Sequence, residues 1–213
     1  KSYATYFDEG MVTLLNSANR TWQLPLGLFA QSIGVAILPT LSEEFASGSY
    51  ESFRHILNKG LRVVFLLSLP TSVIMIVLSR DIFRAMFKWG SFSEENVFYG
   101  GLCLMGYSAA LIFASVISLM TRAFYSVHNS KIPLLCSLFG IASNYLFNYL
   151  FNAFTDIGIA GTALAYSISS FINVMVLIYA FREKTDIDVI AENFGFMGKA
   201  LLSVSVSGGI AYI

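Results

Sequence analysis

The sequence predicts an all-α protein, a polytopic bundle of transmembrane helices. Three observations carry that expectation. The chain is 56% hydrophobic and only 12% charged, roughly half the charged fraction of an ordinary soluble domain. Its charges avoid the apolar runs, which leaves uncharged windows at Val63–Ser79, Asn96–Thr121, Ile132–Thr155, Ile157–Phe181 and Ala200–Ile213. A further stretch, Gly10–Ser42, holds a single charge, Arg20. A bilayer core needs about 20 apolar residues of helix, and most of these windows supply that length.

Six spans follow in order: 10–41, 56–79, 95–126, 131–154, 157–182 and 195–213, with short bundle-like connections between them. Residues 1–9 lack the basic and apolar regions of a signal peptide and read as the end of a preceding helix. In the first span Pro25 should interrupt the helical ladder, as Pro70 should in the second, where Arg62 snorkels from the edge. Between the second and third spans, Arg80–Gly90 is short and amphipathic, with Phe83, Met86 and Phe87 on one side, and fits an interface. The fourth and fifth spans flank a nearly uncharged turn around Asp156. The sixth stops mid-span, so the chain is expected to be a piece of a longer membrane protein.

Loop charges orient the bundle. Arg54, Lys59, Arg62, Arg122, Lys131, Arg182, Lys184 and Lys199 fall on one side, against Arg80, Arg84 and Lys88 on the other. Eight basic residues against three place the first side in the cytoplasm. The formal net charge of zero offers nothing to nucleic acid.

Polar residues inside the spans carry the functional signal. Arg20 lies about 15 Å along the first helix, where burying a guanidinium costs roughly 2.5–3.5 kcal/mol on insertion scales. At 100° per residue, Thr13, Asn16, Arg20, Gln23, Gly27, Gln31 and Gly34 share one arc, with Asn19 at its edge. Leu14, Trp22, Leu26, Ile33 and Ile37 lie largely elsewhere. A polar stripe of this length fits either the wall of a solvated cavity with Arg20 as anion-binding group, or a helix–helix seam in which Arg20 caps carbonyls.

A second stripe on the fourth span holds Ser137, Gly140, Asn144, Asn148 and Asn152. The fifth answers with Gly158, Thr162, Ala165, Ser169 and Asn173. Small and hydrogen-bonding residues at this spacing glue membrane helices together; amide and hydroxyl oxygens can also hold a hard cation such as sodium.

Enzyme chemistry finds no support. His55 and His128 are placed in loops, no HExxH occurs, and no intramembrane carboxylate pair could act as acid and base. Cys103 and Cys136 fall in apolar windows and read as small hydrophobes rather than as a disulfide or metal ligands. No cofactor is expected beyond a sodium ion.

The run SYATYFDEGMVTLLNSANRTWQLPLGLF, with GVAILPTLS after it, resembles the lipid II flippases, the MurJ/MviN family of the multidrug/oligosaccharidyl-lipid/polysaccharide (MOP) exporter superfamily. GLRVVFLLSLPT in the second span, RAFYS ending the third and IGIAGTALAYSIS opening the fifth extend the likeness in order along the chain. The resemblance implies fourteen helices, in two pseudo-symmetric lobes around a central cavity with two helices after them. Residues 1–9 would then end helix 7, residues 10–183 would be helices 8–12 of the C-terminal lobe, and residues 184–213 would be a cytoplasmic linker and the start of helix 13.

It further implies that Arg20 meets a lipid-linked pyrophosphate, with Asn16, Gln23 and Gln31 around the headgroup, and that Asn144, Asn148 and Thr162 match a sodium site. Asn148 stands where a family member can carry Asp, which removes a charge from that site. The expected function is flipping of lipid II, the undecaprenyl-pyrophosphate-linked peptidoglycan precursor, across the bacterial cytoplasmic (inner) membrane by alternating access. Membrane lipids and the transporter's remaining helices would be its partners. Export of a drug or another lipid-linked glycan is the alternative, and a non-transporting membrane subunit is the second.

Overall fold

The structure, a computed structural model, describes residues 9–88, 93–154, 159–193 and 195–200. Among them there is no strand. The chain runs α1 (Glu9–Pro25), a π-helical turn (Leu26–Gln31), α2 (Ser32–Ala46), α3 (Tyr50–Val77), α4 (Ser79–Phe87), α5 (Glu94–Ser126), α6 (Lys131–Phe154) and α7 (Ile159–Thr185). Residues 189–193 and 195–200 are helical as well. Five helical stretches are long and apolar enough to cross a membrane, with α1, the π turn and α2 counting as one.

The expected first span is longer than its apolar stretch, reaching Ala46, because Ser42, Glu43 and Glu44 continue the helix beyond the uncharged run. The second begins at Tyr50 rather than 56, since polar residues at a membrane surface extend a helix as readily as apolar ones. His55 therefore sits on α3 and not in a loop, whereas His128 does lie in the turn after α5, at a φ of 56°. The sixth expected span lies outside the described residues from 201 onward, as do residues 1–8, the turn at 155–158 with Gly158, and Ser91.

Helix α5 is the centre of the bundle and packs against α1, α2, α3, α4, α6 and α7. Its small residues explain how it can. A Cβ on Gly106 would come within 2.8 Å of the Ala163 Cβ on α7, and the Ser167 hydroxyl donates to the Gly106 carbonyl at 2.5 Å. On the other flank the Ser72 hydroxyl of α3 donates to the Ser108 carbonyl at 2.6 Å. Such close backbone approach and interhelical bonding hold helices together where lipid removes the hydrophobic drive.

The interior divides into two main apolar clusters. One gathers Leu57, Leu61, Met120, Phe124, Leu177 and Phe181, and includes Cys136. The other gathers Leu14, Trp22, Phe83, Cys103, Leu104 and Ala163. Trp22 stacks on Tyr107 with centroids 6.1 Å apart and meets Tyr166 at 5.4 Å, which seats α1 against both α5 and α7.

The interfacial segment forms as expected, with one change. Phe83 is fully buried where it crosses Gly100, whose added Cβ would lie 2.3 Å from the ring, and Phe87 packs on Phe83 at 4.7 Å. Met86, however, is exposed: α4 is short and offers α5 one narrow face. Arg84 and Lys88 pair with Glu94, and Arg80 lies 4.5 Å above the Phe98 ring. At the opposite end the α2–α3 turn, the end of α5 and the end of α7 meet, where Phe45, Tyr50, Val127 and Thr185 line one cavity. Arg182 is paired with Asp188 there at 3.0 Å.

Candidate functional site

Burial along α1 follows a helical period: Leu14, Leu15, Ala18, Thr21 and Trp22 are buried, largely against α5. The remaining face is left uncovered by this lobe. Arg20, Gln23 and Gln31 are exposed on it and Asn16 is half-buried. Arg20 makes no hydrogen bond or ion pair with any described residue, so it caps no carbonyl among them. The side-chain oxygen of its neighbour Asn19 is engaged, accepting from Trp22 Nε1 at 2.8 Å and from Gln23 Nε2 at 3.0 Å. That pair of bonds fixes the Gln23 amide beside Arg20. Leu24 and Leu28 share the open face, Leu28 at 70% exposure. The face is thus a polar strip bordered by leucines.

The π turn corrects the expected stripe at its far end. A π turn carries an extra residue, so a helical projection at 100° per residue slips by about one position beyond it. The Ser32 hydroxyl follows this geometry, donating to the Gly27 carbonyl at 3.1 Å. Gly34, placed in the stripe by the projection, is in fact buried, and a Cβ there would lie 3.1 Å from Arg122 Cγ. The same slip keeps Ile37 turned to Gly60 on α3, 2.9 Å from where a Cβ would stand.

Helices α6 and α7 pack along the middle of their expected stripes, at Gly140, Asn144 and Asn148 against Ala165, Ser169 and Asn173, while Ser137 and Asn152 are exposed. Gly140 admits Asn173, whose Nδ2 would be 2.8 Å from a Cβ at that position. A cavity of about 390 Å³ opens beside them, lined by Ser118, Ser137, Asn144, Tyr166, Ser170 and Asn173 among others. Two buried polar atoms there have no partner, Asn144 Nδ2 and Asn173 Oδ1. The chamber therefore presents one free donor and one free acceptor, and its lining carries no charge. Sequence periodicity singled out both asparagines but could not show that their amides face one space.

The expected sodium ligands do not form an oxygen cage as placed. Asn148 Nδ2 donates to the Asn144 carbonyl at 2.8 Å and to Asn144 Oδ1 at 3.1 Å. A donor thus occupies the position where a cation would need to sit. Thr162 is half-buried on α7 and is joined to neither asparagine by a hydrogen bond among the described residues. Among the described residues no three His, Cys, Asp or Glu side chains gather as a metal site.

One polar cluster escaped sequence reasoning. Asn58 on α3 donates to Glu192, Asn193 Nδ2 donates to Asn58 Oδ1 at 2.5 Å, and Arg62 Nε donates to Asn193 Oδ1 at 2.9 Å. These partners stand more than 130 residues apart, so no local pattern could have paired them.

A family model described as lipid II flippase MurJ matches residues 2–213. The chain belongs to the lipid II flippase MurJ family. The "Probable lipid II flippase MurJ" of Vibrio cholerae is 30% identical over 176 residues, covering 83% of this chain and 33% of that protein. The protein of the same description from Thermotoga maritima is 32% identical over 166 residues, 78% of this chain and 34% of its own length. The chain therefore spans about a third of these MurJ relatives. A solved structure of lipid II flippase MurJ in an inward closed conformation matches with a TM-score of 0.78 and 24% identity, over 99% of this chain and 47% of the solved one. That likeness is one of fold. With five such spans among the described residues, the chain is a multi-pass membrane protein.

Proposed function

We propose that this chain is one lobe of a transporter that carries a lipid-linked pyrophosphate glycan of the lipid II class across the bacterial cytoplasmic membrane. Arg20 carries the proposal. It is a cation deep in a spanning helix, exposed on the face its own lobe leaves open and bound to no described residue. A planar guanidinium in that position can grip two phosphate oxygens at once, which a lysine cannot do. Gln23, held beside it by Asn19, and Asn16 and Gln31 add neutral hydrogen bonds for headgroup or water. Transport would proceed by alternating access, with this lobe and a second one rocking about the midplane site. In that scheme residues 10–183 are helices 8–12, flanked by the end of helix 7 and, from residue 184, by the linker and start of helix 13. The side bearing Arg54, Lys59 and Arg182 faces the cytoplasm.

Arg20→Leu tests the reading in cells depleted of their own flippase, with protein level followed alongside. Removing a lone intramembrane charge should leave insertion unharmed or improved, while growth and appearance of the headgroup on the outer leaflet are lost. Arg20→Lys should restore only part of the activity, because the forked contact is gone. Full complementation by Arg20→Leu would remove Arg20 from the mechanism.

A further inference from the structure

The first half of α3 carries a basic stripe that the substrate reading does not use. Arg54, Asn58 and Arg62 recur at four-residue steps, with His55 and Lys59 one position further round. They border a surface cavity of about 530 Å³ together with Glu51 and Glu192. Glu192 is already compensated, since Arg54 Nε lies 2.5 Å from its Oε1 and Asn58 donates to it. Lys59 has no ion pair among the described residues. Arg62 has no carboxylate partner either: it donates to Asn193 Oδ1 and to the Glu192 carbonyl, and lies 5.8 Å from the Phe196 ring centre. Three cations and two carboxylates thus border the cavity, which leaves one positive charge in excess, and neither Lys59 nor Arg62 is paired with a carboxylate among the described residues.

An apolar groove of about 410 Å³ begins where this polar cavity ends. It runs between α3, α5, α7 and the helical residues 189–193 and 195–200, and Phe65, Ile112, Phe171, Met175 and Phe196 line it. Arg62 borders both spaces. The polar cluster of Asn58, Glu192 and Asn193 pins the helical residues 189–193 to α3 and so keeps the groove walled on that side. A basic pocket that opens through one shared arginine into an apolar groove matches a molecule with an anionic head and hydrocarbon tails. Basic pockets between transmembrane helices near a membrane surface are suited to such headgroups.

We propose that this joined cavity and groove is a binding site for an anionic phospholipid of the surrounding membrane, with Lys59 and Arg62 on the phosphate and a chain between Phe65, Phe171 and Met175. The site lies on α3, α5 and α7, away from Arg20 on α1, and it does not depend on the transporter's substrate. Its occupancy would fasten residues 189–193 and 195–200 against the lobe.

The test uses the full-length transporter in detergent, titrated with phosphatidylglycerol or phosphatidylcholine of identical chains and followed by native mass spectrometry. Phosphatidylglycerol should be retained in preference to phosphatidylcholine. Lys59→Ala, which leaves the Arg62–Asn193 and Arg54–Glu192 contacts intact, should weaken its retention about fivefold. Phosphatidylglycerol with brominated chains should quench a tryptophan introduced as Phe171→Trp, beyond the quenching of the parent. Equal retention of the two lipids, or unchanged affinity in Lys59→Ala, would overturn the proposal. So would an unquenched Phe171→Trp. Displacement by inorganic phosphate would reduce the site to an anion pocket, and displacement by a lipid-linked pyrophosphate would make it a substrate site; either result overturns the assignment. Arg20→Leu should retain phosphatidylglycerol as the parent does, so failure of this site and failure of the transport reading are separable.

Discussion

Arg20 and Asn148 show how differently two polar residues can sit in one membrane bundle. Arg20 was conspicuous as the one charge in a long apolar run, and it stands exposed without a partner among the described residues. Asn148 is buried and spends its amide on the preceding turn, both bonds going to Asn144. A donor facing two oxygens repels a cation. Replacing that donor with a carboxylate oxygen would instead complete an oxygen cluster with a negative charge, which suits a hard ion. Asn148→Asp in the full-length transporter is therefore expected to gain a sodium-dependent rise in melting temperature, by the usual stabilisation of a folded state by its ligand. The parent should melt at the same temperature in sodium and in a potassium control. Sodium stabilisation of the parent would mean that its Asn148 amide turns its oxygen to Asn144. A variant whose melting shifts equally in both salts would leave these asparagines as helix glue alone.

At the scale of the element, the π turn at Leu26–Gln31 sets which faces α1 and α2 present. It follows Pro25, whose missing N–H and ring already disturb the α ladder. With its extra residue, Trp22 can pack on Tyr107 before the turn while Gly34 and Ile37 meet Arg122 and Gly60 after it. Deleting Leu28, whose side chain is exposed, should convert the turn to α geometry and rotate one helix against the other by about 100°. One of the two packed faces must then leave its groove. A loss of about 2–5 kcal/mol in stability is expected, comparable to removing a large core side chain, and thermal melting of the purified transporter measures it. Leu28→Ala, which removes only exposed atoms, should change stability by no more than about 0.5 kcal/mol. Equal melting of the deletion and the parent would show that the extra residue does not hold the register.

For the whole molecule, the helices bring the loops after α2, α5 and α7 to one end and α4 to the other. The basic residues divide the same way, and the positive-inside rule gives the first end to the cytoplasm. In a variant with Cys103 and Cys136 replaced by serine, cysteines at Ser49, Asn129 or Asp186 should be shielded from an impermeant thiol reagent in intact cells. A cysteine at Glu95 should label. The reverse pattern would invert the topology.

Composition and spacing alone determined that this chain is a helical membrane protein, where its spans run and which cation stands out within them. Those features are local: a stretch free of charge must be helical in lipid, because its backbone has no other hydrogen-bonding partner, and an isolated arginine is visible without knowing its neighbours. The ladder of Asn144 and Asn148 was legible as a stripe for the same reason. The tertiary structure decided what each stripe faces. It buried Gly34 through one extra residue in a turn, left Met86 exposed beside a buried Phe83, and turned the Asn148 amide toward Asn144. It also joined Asn58 and Arg62 to Glu192 and Asn193 across most of the chain. Periodicity fixes an angle around a helix axis, but the neighbour found at that angle depends on how the other helices pack.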